Sequence, residues 1–531
     1  MDEPLSPSGN VIMTGDQPVA PEPSVPDVSE MPHSPAPAPE PPPTPTPAPA
    51  ETKPFVVSES ESSSNPFVPQ MPAESAPPTP EQTAPVTVAE SSGNPWMKRF
   101  LALGGLLVII FLLVLLGKFI FGLIMGNKQV TLTYWGLWED DATLQNVFST
   151  FESSHPNIKI SYIKQSQQQY RERLQAAIDR GEGPDVFRFH NTWVPMFRNE
   201  LAPAGKDVMT TAEFSSTFYP VATNDLVGGQ YIYGMPMMID GLGLYYNVDL
   251  LASAGVTPPT TWPDVLTAVP KLTVKNGTTI VTSAIALGTA NNVENFSDIL
   301  ATMLMQNGAS LVNPTGTQAE QALTFYRKFS DPNDPVYTWN DSMDNSIYAF
   351  ASGKVAMILA PSWRAFDVKQ INPNIHFKIG SIPQLPGNTV NWASYWVEGV
   401  SAKSKYQKQA WQLVTYMISK DVVTKLYTDE SKTRLFGEPY ARVDMANAVS
   451  ADPYVGAYIQ EAPTAKSFPL ASRTFDNGLN DRLIKYLLDA VNAVDQNGAA
   501  PSAALATAAQ GFTQVLGSYG LTTASAPTTT Q

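Results

Sequence analysis

Residues 233–247 read Tyr-Gly-Met-Pro-Met-Met-Ile-Asp-Gly-Leu-Gly-Leu-Tyr-Tyr-Asn. A proline and two spaced glycines precede an apolar run that ends in two tyrosines. Glycine tolerates backbone angles that other residues resist, so the chain can change direction at Gly241-Leu242-Gly243 before entering a second sheet. A tight loop before any strand would give the same local pattern. What flanks the stretch decides between a hinge and a loop.

Upstream, strand-like and helix-like segments alternate. Val130 to Trp135 is β-branched and aromatic with period two. Asp140 to Ser153 carries apolar residues at Leu144, Val147, Phe148 and Phe151, the spacing of a helical stripe. Ile158 to Ile163 reads as the next strand, Tyr170 to Arg180 as a helix, and Asp185 to Phe189 as a third strand. This order predicts an α/β fold with parallel strands. Ligands of such sheets gather at the carboxyl ends of the strands, which points to Trp135–Glu139 and His190-Asn191-Thr192-Trp193.

Further upstream the composition changes twice. The first 97 residues hold 25 of the 48 prolines and 13 acidic residues against the single basic Lys53. That arm is expected to be disordered and locally polyproline-like. Two similar apolar islands in it, Pro54–Val57 and Asn65–Pro69, read either as docking peptides for a cytoplasmic partner or as a spacer with occasional hydrophobes. Residues 101–125 are almost wholly apolar and as a helix would run roughly 37 Å, enough to cross a hydrocarbon core of ~30 Å. They predict a single-pass lipid-bilayer anchor within 98–128. Lys98 and Arg99 precede the run and only Lys128 closely follows it, which favours a cytoplasmic N-terminus and an exported remainder.

Beyond the arm the acidic and basic residues nearly balance, 35 against 32. No concentrated basic face is implied, and no nucleic-acid partner is expected. The absence of cysteine removes disulfides, thiol catalysis and lipidation through cysteine. The roughly 400 residues after the apolar run exceed what one core usually supports, so two lobes are expected.

The stretch 233–247, followed by Val248–Gly255 and Pro258–Asp264, resembles the central part of extracellular solute-binding proteins of the maltose-binding type, the recognition subunits of ATP-driven importers. Four segments agree in order: Phe151–Ile160, Gly183–Val186, Tyr348–Trp363 and Glu398–Tyr427. Ala360 stands where the family's turn usually has glycine. The resemblance implies a two-lobed periplasmic-binding-protein fold, here preceded by a disordered arm and one transmembrane helix. Lobe one would comprise 129–241 plus 391–440, lobe two 242–390 plus 441–520, and 521–531 a flexible tail. It further implies a non-enzymatic receptor that closes on a solute and delivers it to ABC permease subunits, and the chain is expected to be monomeric.

Nine of the ten tryptophans follow residue 129. An indole packs against the C–H face of a sugar while carboxylates and amides accept its hydroxyls. The candidate ligand-binding residues are therefore Trp135, Trp138, Glu139, Asn191, Trp193, Asp240, Trp363, Trp396 and Arg434, and the expected solute is a carbohydrate or related polyol. Trp363 lies in the turn where the family places a sugar-stacking aromatic. Any one of these tryptophans picked blind reads more readily as core than as contact, and Trp262 and Trp411 are assigned to packing. Asp240 would accept sugar hydroxyls or cap the hinge turn; Arg364 and Arg434 would meet a ligand or form salt bridges.

Catalytic readings find little support. The four histidines, at 33, 155, 190 and 376, include no pair at metal-ligand spacing. No phosphate loop, dinucleotide fingerprint or nucleophile elbow occurs. The adjacent Glu139 and Asp140 could be read as glycosidase carboxylates, but neighbours on one chain rarely face a scissile bond from opposite sides. No cofactor is expected. The uncleaved anchor and long arm depart from the usual importer component, and leave a second expectation: a membrane-anchored sensor or glycan-adhesion module whose arm recruits a partner.

Overall fold

The computed structural model describes residues 96, 104, 106–118 and 129–521. Residues 106–118 are helical with exposed apolar side chains. Among the described residues no helix is long and apolar enough to cross a membrane. The expected span 101–125 lies only partly within them, and the arm, the docking islands and most of the tail lie outside.

From Val130 the strand–helix alternation takes the order expected. β1 (Val130–Gly136), β2 (Ile158–Lys164) and β3 (Val186–His190) are separated by helices Asp141–Ser154 and Tyr170–Asp179. β1 pairs in parallel with both β2 and β3. The stripe Leu144, Val147, Phe148 and Phe151 is the buried face of the first helix. The three strands share a five-stranded sheet, order β2-β1-β3-β13-β6, with β6 (Met235–Pro236) and β13 (Trp396–Val400). β13 runs antiparallel to β3, so this sheet is mixed rather than purely parallel.

A second mixed sheet has the order β11-β7-β10-β9-β8. It contains β7 (Gly243–Asn247), β8 (Val274–Asn276), β9 (Thr279–Ile285), β10 (Val355–Ala360) and β11 (Phe377–Gly380). Every residue of the central β10 is buried, as a strand covered on both faces requires. At the end of β7, Asn247 caps helix Val248–Ser253 by accepting from the amides of Asp249 and Leu250, both at 3.0 Å. Asn247→Ala is expected to cost about 1 to 2 kcal/mol in urea denaturation, the usual loss at a buried N-cap. An unchanged midpoint would remove the cap's role.

The chain passes between the sheets in three neighbouring segments. Met238 bridges Tyr440 and Gly241 bridges Ala393. The Ser394 amide donates to Asp240 O at 2.9 Å, and the Ile239 amide to Pro439 O at 2.9 Å. The expected reorientation at 241–243 is present, but for a different physical reason. Neither Gly241 nor Gly243 has a positive φ. What they lack is needed for space: a Cβ on Gly241 would strike the Trp392 carbonyl, and one on Gly243 would crowd Ile379 and Tyr458.

Candidate functional site

A cavity of about 420 Å³ opens where these crossing segments meet the strand ends of both sheets. From the first sheet come Trp138, two residues past β1, His190 at the end of β3, and Trp396 at the start of β13. The crossing segments supply Asp240, Ser394, Arg434 and Glu438. From the second sheet come Ser362, Trp363 and Arg364, in the turn after β10, and Asn295 and Asp298 at the start of helix Phe296–Gln306. Ser472, Arg473 and Phe475 complete the wall.

Five of the nine expected residues meet there: Trp138, Asp240, Trp363, Trp396 and Arg434. The other four do not line it. Trp193 is fully buried, stacked on Phe197 at 5.8 Å and packed edge-on against Trp396. Trp135 is half-buried and packs on the core of the first sheet. Asn191 is buried, donating to Asp225 at 2.8 Å and accepting from the Tyr395 amide. Glu139 is buried behind Trp138, where Arg188 Nη1 donates to both its oxygens at 2.7 Å. Its role as a hydroxyl acceptor gives way to ion pairing, because the neighbouring strand delivers a guanidinium to it. Trp262 and Trp411 are buried, as assigned.

The aromatic surfaces are unevenly exposed. Trp363 is 37% exposed, with the Arg364 guanidinium carbon 4.1 Å from its ring centroid on one side. Trp138 meets Trp396 edge-to-face at 5.6 Å and carries Arg188 4.4 Å from its centroid. Phe366 stacks on Phe436 at 4.6 Å, with Arg434 over its ring. Phe475 projects from Arg473–Asn477, where Arg473, Phe475 and Asn477 all adopt left-handed backbone angles (φ 62°, 50° and 42°). Three such non-glycine residues in five mark a backbone held by its surroundings.

The polar wall is shaped by burial. Asp240 accepts from the Ser362 amide and hydroxyl at 3.1 and 2.8 Å and from the Gly241 amide at 2.8 Å, while burial pushes its carboxyl up to about 7. Asp240 ties the hinge to the Trp363 turn, and it also lines the cavity. Asp298 accepts from Trp392 Nε1 at 2.8 Å and is pushed up to about 6 by burial. His190 is pushed down to about 3 by burial; its ring nitrogens contact Thr192 Oγ1 at 2.8 Å and Ser394 Oγ at 3.1 Å. It is neutral there.

The two arginines left open are ion-paired. Arg364 joins Glu294 at 2.5 Å and Asp367 at 2.6 Å, and Arg473 shares Glu294. Arg434 joins Glu430 at 2.6 Å and Glu438 at 2.8 Å. One oxygen each of Glu139, Glu430 and Glu438 lies within 4.8 Å of the others. Arg188 pairs with Glu139, and Arg434 with both Glu430 and Glu438. Cavity residues that the sequence does not single out include Ser362, Phe366, Phe436, Glu438, Asp298, Ser472, Arg473 and Phe475. Phe436 and Glu438 share the loop of Arg434, a signal that was present; Phe475 precedes Asn477-Gly478, which marks a turn but not its place at the cavity.

The family profile described as bacterial extracellular solute-binding protein matches residues 135–424. The chain belongs to this family. This solute-binding protein is similar to the multiple sugar-binding protein of Streptococcus mutans, with 23% identity over 57% of this chain and 74% of the relative. Among solved structures it is similar to the sugar-binding protein MalE of Xanthomonas citri, with TM-score 0.60, 19% identity and coverage of 73% and 98%. The cyclic α-maltosyl-1,6-maltose-binding protein of Arthrobacter globiformis gives TM-score 0.60, 18% identity and coverage of 73% and 99%. These likenesses establish the α/β periplasmic-binding-protein fold. The family is one of extracellular, non-enzymatic receptors, in keeping with the absence of catalytic motifs from the sequence.

Proposed function

We propose that this solute-binding protein captures a sugar or oligosaccharide by cleft closure and delivers it to an ABC permease. The observation that carries the reading is the cavity itself. Indoles from both sheets, Trp138 and Trp363, border a space that also presents carboxylates, guanidiniums and hydroxyls. Apolar ring faces and polar edges in one cavity suit a neutral polyhydroxylated ring better than an anion or a lipid. The multiple sugar-binding and maltosyl-maltose-binding relatives support the same solute class.

In this reading, lobe one is 129–241 plus 391–440 and lobe two 242–390 plus 441–520, hinged at the three crossing segments. Residues 101–125 tether the receptor to the bilayer and 1–97 form a cytoplasmic arm. The helical, apolar stretch 106–118 supports the tether.

The test is thermal unfolding of the detergent-purified chain against maltotetraose, mannotriose, raffinose, amino acids and phosphate esters. A saturating ligand at 100 times its Kd adds about 2.7 kcal/mol to the folded state. A shift with one saccharide supports the reading, and no shift with any saccharide would overturn it. Trp363→Ala is expected to weaken that saccharide about thirtyfold, the cost of a central aromatic anchor, while the ligand-free midpoint moves little because the ring is exposed.

A further inference from the structure

The geometry points to Arg188 and Arg364 as positioning residues of the binding site, each stacked on one face of an indole that borders the cavity and so fixing its plane. The inference rests on the saccharide reading for its affinity consequence, though not for its structural one. Trp138 follows β1 and Trp363 follows β10, so one indole stands beyond a strand end in each sheet. Both line the cavity. Both are backed by a guanidinium carbon close to the ring centroid, at 4.4 Å for Arg188 and 4.1 Å for Arg364.

Neither arginine is free to swing away from its indole. Arg188 is held by Glu139 at 2.7 Å and by Glu398 at 2.6 Å, all three residues being buried. Arg364 is held by Glu294 at 2.5 Å and Asp367 at 2.6 Å. A planar guanidinium fixed by two carboxylates is a rigid plate, and an indole stacked on it loses its freedom to tilt. The same arrangement on two unrelated stretches of chain sets both planes before a ligand arrives. Binding then orders no further side chain at either wall, which keeps affinity that a mobile indole would forfeit.

Arg364 is the residue to change, because Glu294 keeps Arg473 as a partner when Arg364 is lost. The full chain, labelled with 5-fluorotryptophan, is compared by ¹⁹F NMR as wild type, Arg364→Met and Arg364→Lys. Trp363→Phe and Trp138→Phe assign the two resonances. Without ligand, Arg364→Met is expected to displace the Trp363 resonance and leave that of Trp138 in place, while Arg364→Lys, which keeps a cation on the ring, stays near wild type.

Whichever of maltotetraose, mannotriose or raffinose the wild type binds should then bind Arg364→Met about tenfold more weakly and Arg364→Lys within about threefold. An unmoved Trp363 resonance, or equal losses in the Met and Lys variants, would overturn the positioning role. If the wild type binds none of the three, the saccharide reading fails and the ligand-free resonances alone decide the positioning. For the opposite wall Arg188→Met strands two buried carboxylates, so the variant is Glu139→Gln, Arg188→Met and Glu398→Gln together, and the Trp138 resonance is the one expected to move.

Discussion

Gly241→Ala is expected to destabilise the protein by about 3 kcal/mol, the upper part of the range for an added methyl that the surroundings cannot absorb. The clash is with backbone: the Cβ would strike the Trp392 carbonyl oxygen and lie 2.9 Å from its carbon. That carbonyl cannot retreat cheaply. Trp392 belongs to β12 (Asn391–Trp392), which pairs with β14 (Ala465–Lys466), and the next residue, Ala393, bridges Gly241 itself. Relief would therefore separate two of the three crossing segments, and with them the Ser394 amide from Asp240 O. Gly380→Ala is the control, since its nearest neighbour would be Tyr246 Cε1 at an ordinary 3.7 Å. Urea denaturation of the two variants decides the matter. A wild-type midpoint for Gly241→Ala, or equal losses at both positions, would show that the crossing segments tolerate separation.

The same glycine shows what a sequence can and cannot carry. That the chain turns between sheets at 241–243 was legible, because glycine spacing and the following apolar run are local. Why glycine is required was not, since the Trp392 carbonyl arrives from 151 residues downstream. The strands and helices from Val130 to His190 were legible for the same reason: alternation and helical stripes are properties of neighbours in sequence. Side-chain destiny depends on partners from elsewhere. Trp193 and Trp396 both sit by strand ends, and only the packing of Phe197 and Tyr170 around Trp193 makes it core. Glu139 looked like a hydroxyl acceptor until Arg188 on β3 claimed both its oxygens. Asn477-Gly478 marks a turn beside Ser472–Phe475, but the left-handed angles of Arg473 and Phe475 are imposed on residues that would not choose them.

Burial of carboxyl groups has a measurable consequence, because stability should fall as pH rises from 5 to 8. Burial pushes Asp225 and Asp298 up to about 6, Asp240 up to about 7, and, with help from neighbouring Glu438, Glu430 up to about 8. In the unfolded chain such groups titrate near 4. A raised folded value means that the folded state binds the proton more tightly, so the stabilisation is complete below about pH 4 and is lost as pH climbs through the folded values. Each group in that window costs about 1.4 kcal/mol per pH unit. For Asp240 alone, pH 5 to 7 amounts to about 2 kcal/mol. Opposing groups act elsewhere: Asp429, held low by Lys425 and Lys432, and Asp444, held low by Arg442, withdraw their stabilisation only in more acidic solution. Maximum stability should therefore fall near pH 5. Urea midpoints at pH 5, 6, 7 and 8 test this, with Asp240→Asn expected to flatten the profile because an amide binds no proton in either state. A midpoint that rises between pH 5 and 8 would mean that Asp240 and its fellows are ionised and compensated in the folded protein.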